Sequence, residues 1–296
     1  MSVSSPLPAG TTAQALRALP WMAGWLGLML IMAIAGRQAT RELDVFQIME
    51  MRSLFGLCLL YPLVRAKGGL RAMASKRLPQ HAARNIVHYG AQYAWFLALT
   101  LIPLAQVVAI EFTMPIWTAL LAAMFLHERM HRWKVAAVVL GVVGVAMIVR
   151  PASTGISVGQ AVALSAALGF AVSVILVKSL TRTENAVSVV FWMLVVQGVL
   201  GIWPALAVWQ WPTPAAWAWV LLIAFCGVYS HYCLTRAIHV AEATVVVPMD
   251  FLRVPLTAIA GWLVFSEGID LMMVLGTMLI LVGNLLNLRP GPARRA

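Results

Sequence analysis

Five charged residues stand inside stretches otherwise apolar enough to lie in hydrocarbon: Glu50, Arg52, Glu111, Asp250 and Arg253. Charge at such depth is costly, and it faces a cavity, a partner or a transported species. Asp250 and Arg253 are three residues apart and can meet on one helical face, between Pro248 and Pro255. The pair has two readings. It is a self-contained ion pair bracing a broken helix, or a site where Arg253 holds a carboxylate while Asp250 holds an amino group or a proton. Glu50 and Arg52 are two residues apart, about 200° around a helix, so each needs a partner elsewhere. Arg52 is expected to pair with Glu111 or Asp250 in a charge-assisted hydrogen bond. Acids outnumber bases by one in this set, which makes one carboxyl a candidate proton carrier, and Glu111 is the first choice.

Polar aromatic side chains offer a second set. His88, Gln92, Tyr93 and Trp95 lie on one stretch, and Tyr229, His231, Tyr232 and Arg236 on another. Tyr93 and Tyr229 are expected to line a cavity, although aromatic residues also serve as packing and interfacial anchors. The stretch His127-Glu128-Arg129-Met130-His131 satisfies H-E-x-x-H, in which two histidines one turn apart bind zinc. Arg129, Arg132 and Lys134 surround it and would repel a divalent cation, so an intramembrane zinc protease is only a remote alternative. Cys58, Cys226 and Cys233 have no metal-ligand spacing and read as packing residues. No metal, cofactor or catalytic residue is expected.

The elements that must hold these groups are membrane helices. The chain has 296 residues, 62% of them hydrophobic and 10% charged, with a mean hydropathy of +0.89, outside the range of soluble domains. Its apolar runs are too long for barrel strands. Spans are read at 21–36, 45–64, 85–103, 104–126, 133–149, 159–177, 186–208, 215–238, 240–264 and 270–288, giving an all-α integral membrane protein of ten transmembrane helices. Asp250 then lies about ten residues into its span, near 15 Å deep at the helical rise. Pro248 and Pro255 free backbone carbonyls at that depth, which only protein or water can satisfy.

A constant offset of 139 residues pairs Glu111 with Asp250, Glu128 with Glu267, Gly144 with Gly283 and Arg150-Pro151 with Arg289-Pro290. Four matches at one offset indicate an internal duplication. Residues 1–20 read as a cytoplasmic tail, 21–151 and 155–290 as two five-helix repeats, and 291–296 as a second tail. Glu128 and Glu267 each end a helix beside the next helix start, where an acid accepts hydrogen bonds from N-terminal amides. They are assigned gating or structural roles, with Pro115, Pro248 and Pro255. The net charge of +11 comes from short loops. Sixteen Lys and Arg fall on the side of the N-terminus and three on the other, so both termini are expected in the cytoplasm. With five helices per copy the second copy enters from the opposite side, an inverted repeat of the kind common in secondary transporters.

The ends Pro115…Leu126-His127-Glu128 and Pro255…Phe265-Ser266-Glu267 resemble the drug/metabolite transporter superfamily, EamA type. So do the glycine-rich stretches Val138–Val149 and Val274–Leu288, each followed by Arg-Pro. The stretch Pro248 to Arg253 is similar to the P-x-x-Y-x-R pattern of one subgroup, with Phe251 where tyrosine is common. The resemblance covers Trp21 to Pro290. It implies an inner-membrane secondary transporter working by alternating access, exporting a small polar, amino-acid-derived metabolite such as an opine-type metallophore or amino acid. Uptake of riboflavin or S-adenosylmethionine is the alternative within the same resemblance. The partners expected are that metabolite, the lipid bilayer and a proton as candidate coupling ion. A homodimer is left open, and nucleic acid is not a partner.

Overall fold

Runs of Leu, Val, Ala and Met with few turn signals must satisfy their own backbone groups, and helices do so without a partner strand. A computed structural model describes residues 9–125, 132–150, 155–180, 184–241, 246, 249–268 and 270–288. Among these the secondary structure is helical with no strand. The first half holds α1 (Ala9–Ala39), α2 (Val45–Ala66), α3 (Leu78–Leu101), α4 (Leu104–Glu111), α5 (Met114–Phe125) and α6 (Arg132–Val149). The second holds α7 (Val158–Leu180), α8 (Ala186–Ala207), α9 (Pro214–Val240), α10 (Arg253–Phe265) and α11 (Leu271–Asn287). Side-chain oxygens start several of them: Asp44 accepts from Phe46 N–H, Asn185 from Ser188, Thr213 from Ala216 and Asp270 from Met272.

Among the described residues six helical stretches are long and apolar enough to cross a membrane: Ala15–Ala39, Leu104–Leu121, Arg132–Val149, Val158–Val177, Val187–Ala207 and Pro214–Leu234. The other expected spans fall short for visible reasons. Helix α2 carries Glu50, Arg52 and Arg65, and α3 carries His81, Arg84, Asn85, His88 and Gln92. Helices α10 and α11 are apolar but have only 13 and 17 residues. Helix α3 also begins at Leu78 rather than near residue 85, so Arg84 belongs to a helix and not to a loop.

Helix α1 packs on α9, and α3 on α7; α2 packs on α8 and α6 on α11. Exchanging the two halves maps this set of pairs onto itself, as a two-fold relation between them requires. The backbones of α6 and α11 come close together. A methyl group added to Gly144 would stand 2.5 Å from the carbonyl oxygen of Gly276, and one on Gly283 would stand 2.9 Å from that of Ala137. These two contacts are the same contact seen from each half, since the 139-residue offset carries Gly144 to Gly283 and Ala137 to Gly276. Small residues let two backbones approach this closely where lipid supplies no hydrophobic drive.

The expected helix break is present in both halves. A turn at Phe112 and Thr113 separates α4 from α5, and a turn at Phe251 and Leu252 precedes α10. These residue pairs are again 139 apart, and the rings of Phe112 and Phe251 meet edge to face at 5.8 Å. Pro115 and Pro255 each fall in the first turn after the break, where an N–H is not needed for the helix ladder. Pro248 lies outside the described residues. The carbonyl of Phe112 accepts from Asn284 Nδ2 at 2.9 Å, so one group freed by the break is satisfied by α11.

Candidate functional site

Both acids sit at the breaks. Glu111 is the last residue of α4, Asp250 is the last helical residue before its turn, and Arg253 opens α10. Each charge stands at the helix end that the backbone dipole disfavours. Helix stability therefore does not explain their placement, whereas a need for charge at the point where the two halves meet does.

Arg253 joins the two acids. Its Nη1 donates to Glu111 Oε1 at 2.9 Å, and its Nε lies 3.4 Å from Asp250 Oδ1. Asp250 Oδ1 also accepts from Trp25 Nε1 at 2.6 Å, and Glu111 Oε2 from Trp95 Nε1 at 2.8 Å. The guanidinium lies over the rings of Phe112, at 4.8 Å, and Trp25, at 5.9 Å. Four stretches of chain thus meet at one cation and two carboxylates, closed by two indole donors. The side chain of Arg253 is 7% exposed and those of Glu111 and Asp250 are 14% and 21% exposed, so the acids keep limited access. Arg253 thus bridges to its own helix neighbour Asp250 and to Glu111 of the other half.

Arg52 is not part of this cluster, contrary to the pairing with Glu111 or Asp250 expected above. Its Nη2 donates to Gln92 Oε1 at 2.9 Å and to Gln197 Oε1 at 2.8 Å, and Gln197 Nε2 meets His88 Nδ1 at 2.9 Å. The reason is that Arg253 already occupies Glu111 and Asp250. Glu50 also turns elsewhere, its Oε2 buried against Gly201 beside Tyr89.

Tyr93 stacks on Phe46 at 4.4 Å, and Tyr229 lies against Phe225 at 4.6 Å while packing on the cluster of Leu60, Val64 and Met73. Each of the two tyrosines thus makes an aromatic packing contact, Tyr93 with α2 and Tyr229 within its own helix. The aromatic residues at the acids are Trp25 and Trp95 instead. Trp95 was in view from the sequence, but nothing there marked Trp25 as a donor.

Glu267 accepts a backbone amide as expected, but from Leu104 of the other half at 2.9 Å rather than from its own next helix, whose cap is Asp270. It also pairs with Arg37, and Phe265 lies beneath Arg37 and Arg41. Glu128 and the H-E-x-x-H stretch lie outside the described residues. Among those described, no group of three or more His, Cys, Asp and Glu is placed to hold a metal ion.

A model of the EamA-like transporter family matches residues 21–150 and again 157–289. The chain belongs to the EamA-like transporter family. It is a multi-pass membrane transporter and not an enzyme. Among similar proteins is a riboflavin transporter of Rhizobium johnstonii, 32% identical over 79% of this chain and 78% of that protein. The pseudopaline exporter of Pseudomonas aeruginosa is 30% identical over 83% and 87% of the two chains. An S-adenosylmethionine uptake transporter of Rickettsia bellii is 25% identical over 88% and 91%. A solved crystal structure, 17% identical, superposes with a TM-score of 0.64 over 94% of this chain and 96% of its own, so the two share a fold. In this EamA-like transporter the two matched segments each contribute one broken helix and one acid to the Arg253 cluster.

Proposed function

We propose that this EamA-like transporter is an inner-membrane secondary carrier of ten crossings. Two inverted repeats, 21–151 and 155–290, bind one small polar, amino-acid-derived metabolite between them. The observation that carries the reading is the junction of Glu111, Arg253 and Asp250 at paired helix breaks, where the halves meet. Broken helices at mid-depth with half-helix ends aimed at a polar cluster are the arrangement in which alternating-access carriers hold cargo. The self-mapping set of helix pairs supports the inverted relation. The excess of Lys and Arg in one set of loops supports cytoplasmic termini.

In this mechanism an incoming carboxylate displaces one acid from Arg253, and the freed acid takes the cargo's amino group. The indoles of Trp25 and Trp95 keep hold of the acids while this exchange takes place. The net charge of the triad falls from one negative to neutral when one acid takes a proton. Glu111 is the coupling group in this scheme, as the acid that Arg253 reaches across from the other half at 2.9 Å. Export is the direction proposed. Uptake is the second reading, favoured by the relative named as an S-adenosylmethionine uptake transporter.

Cells with and without the protein, compared for metabolites inside and outside, give cargo and direction together. Asp250→Asn and Arg253→Gln are each expected to abolish the difference while the protein still reaches the membrane. Flux at the wild-type rate from either variant removes that residue from the site.

A further inference from the structure

The two halves of the buried charge are treated differently. Arg253 has two carboxylates, but Arg52 and Arg84, which are 3% and 8% exposed, have none among the described residues. Amide oxygens hold them instead: Gln92 and Gln197 for Arg52, and Asn85 Oδ1, at 2.6 Å, for Arg84. An amide satisfies an N–H without neutralising the charge, and a buried charge without a counter-charge is costly. The two guanidiniums also act on one another with like sign, which adds to the cost. The Nε of each is buried and has no hydrogen-bond partner among the described residues. Glu50 does not compensate, since its carboxylate turns to Gly201 and Tyr89, and Glu184 is taken up by Ser75 and His81.

The placement is directional. His81, Arg84, His88, Gln92 and Trp95 follow at steps of three, four, four and three residues along α3, which puts them on one face. That stripe rises about 21 Å and ends at Trp95, whose indole holds Glu111. A polar stripe that carries Arg84, and that meets Arg52 of α2 at Gln92, thus leads along α3 to the acidic junction. A recess of about 540 Å³ between α2 and α8 is lined mainly by apolar side chains such as Leu57, Val64 and Phe191, with Tyr61 and Cys58 beside them, and carries no charged group.

We propose that Arg52 and Arg84 form an anion receptor on the path to the Arg253 junction, so that the cargo is an oxygen acid, carrying carboxylate or phosphate. The missing counter-charge is the cargo itself. This deepens the transport reading and rests on it for the cargo to be carried onward.

The test uses the full-length protein in lipid nanodiscs, with citrate and inorganic phosphate as probes and choline as a cation control. Thermal unfolding and tryptophan fluorescence report binding. Wild-type protein is expected to be stabilised saturably by citrate or by phosphate, and which of them acts separates the two chemistries. Arg52→Gln and Arg84→Gln are each expected to weaken that binding by about tenfold or more. Arg52→Lys and Arg84→Lys are expected to retain part of it, which a merely structural role would not produce. Unchanged anion affinity in folded Gln variants overturns the proposal, and so does wild-type protein that neither anion stabilises. Should the Gln variants not fold, the wild-type probes and the Lys variants decide it. Counterflow of a metabolite extract in proteoliposomes is read in parallel. Flux without anion binding rejects the receptor and keeps the carrier, whereas anion binding without flux rejects the carrier reading.

Discussion

The junction at Arg253 is held by donors of two kinds, and each can be removed singly. Trp25→Phe and Trp95→Phe keep a smaller aromatic ring but take away one N–H from Asp250 and Glu111 respectively. A hydrogen bond to a charged group is worth about 1.5–3 kcal/mol, and an acid that loses it is left partly buried. Transport is expected to fall by about tenfold in each variant, with membrane levels unchanged in an immunoblot. Full activity in both would mean that the indoles only fill space. Part of this site is legible in the residue order. Asp250 and Arg253 are local in sequence, and the duplication exposes Glu111 as the counterpart of Asp250. The partner of Arg52 is not legible, because it is chosen by side chains on α3 and α8 that only packing brings together. Arg84 was obscured by a different cause. Positive charge near a span end reads as loop, and the helix start at Leu78 is marked only by Pro79 in its first turn.

Among the helices, α6 and α11 approach closely, and Gly144, Gly276 and Gly283 have no spare room there. A single added methyl at Gly144 meets the Gly276 carbonyl and the Ile280 side chain. Backbone oxygen cannot yield as a side chain end can, so the helices must part. Gly144→Ala is expected to lower the unfolding temperature of the purified protein, at a cost of about 1–3 kcal/mol, the usual range for an overpacked core. Gly27→Ala is the control, since a methyl there meets nothing within 4 Å, and it is expected to be neutral or slightly stabilising. Equal stability of the two variants would contradict the close approach. Asn284→Ala tests the neighbouring feature. It leaves the carbonyl of Phe112 unpaired in the buried break, and a stability loss of about 1–3 kcal/mol is expected in the same assay. The breaks themselves follow from the prolines and the repeat, whereas the six long apolar stretches follow from composition alone. What composition cannot give is which helices accept polar residues, as α2 and α3 do, because that depends on facing the junction rather than lipid.

At the scale of the whole molecule, one set of contacts ties the halves together near one end. Glu267 pairs with Arg37 and takes the N–H of Leu104, Arg150 pairs with Asp270, and Glu42 accepts from both the N–H and hydroxyl of Thr213 at 2.8 Å. Each contact joins a residue of the first half to one of the second. If the halves rock about the Arg253 junction, these are the contacts that must open to admit cargo from that side. An exposed pair contributes little, but the side chains of Arg37 and Glu267 are only 21% and 12% exposed, and Glu267 also takes a backbone donor. Glu267→Gln keeps the shape and weakens the charge pairing, so the balance should shift toward the state open at that end. The expected result is faster labelling by a membrane-impermeant thiol reagent of a cysteine placed at Thr257, which is fully buried one turn after Arg253. The reverse experiment fixes the contact. With Cys58, Cys226 and Cys233 replaced by serine, Arg37→Cys and Glu267→Cys are joined by a short reducible bifunctional thiol reagent. Transport in proteoliposomes is expected to stop on cross-linking and return on reduction. Cross-linked protein that carries cargo at the uncross-linked rate would mean that this end does not open, and the rocking of two halves would have to be given up.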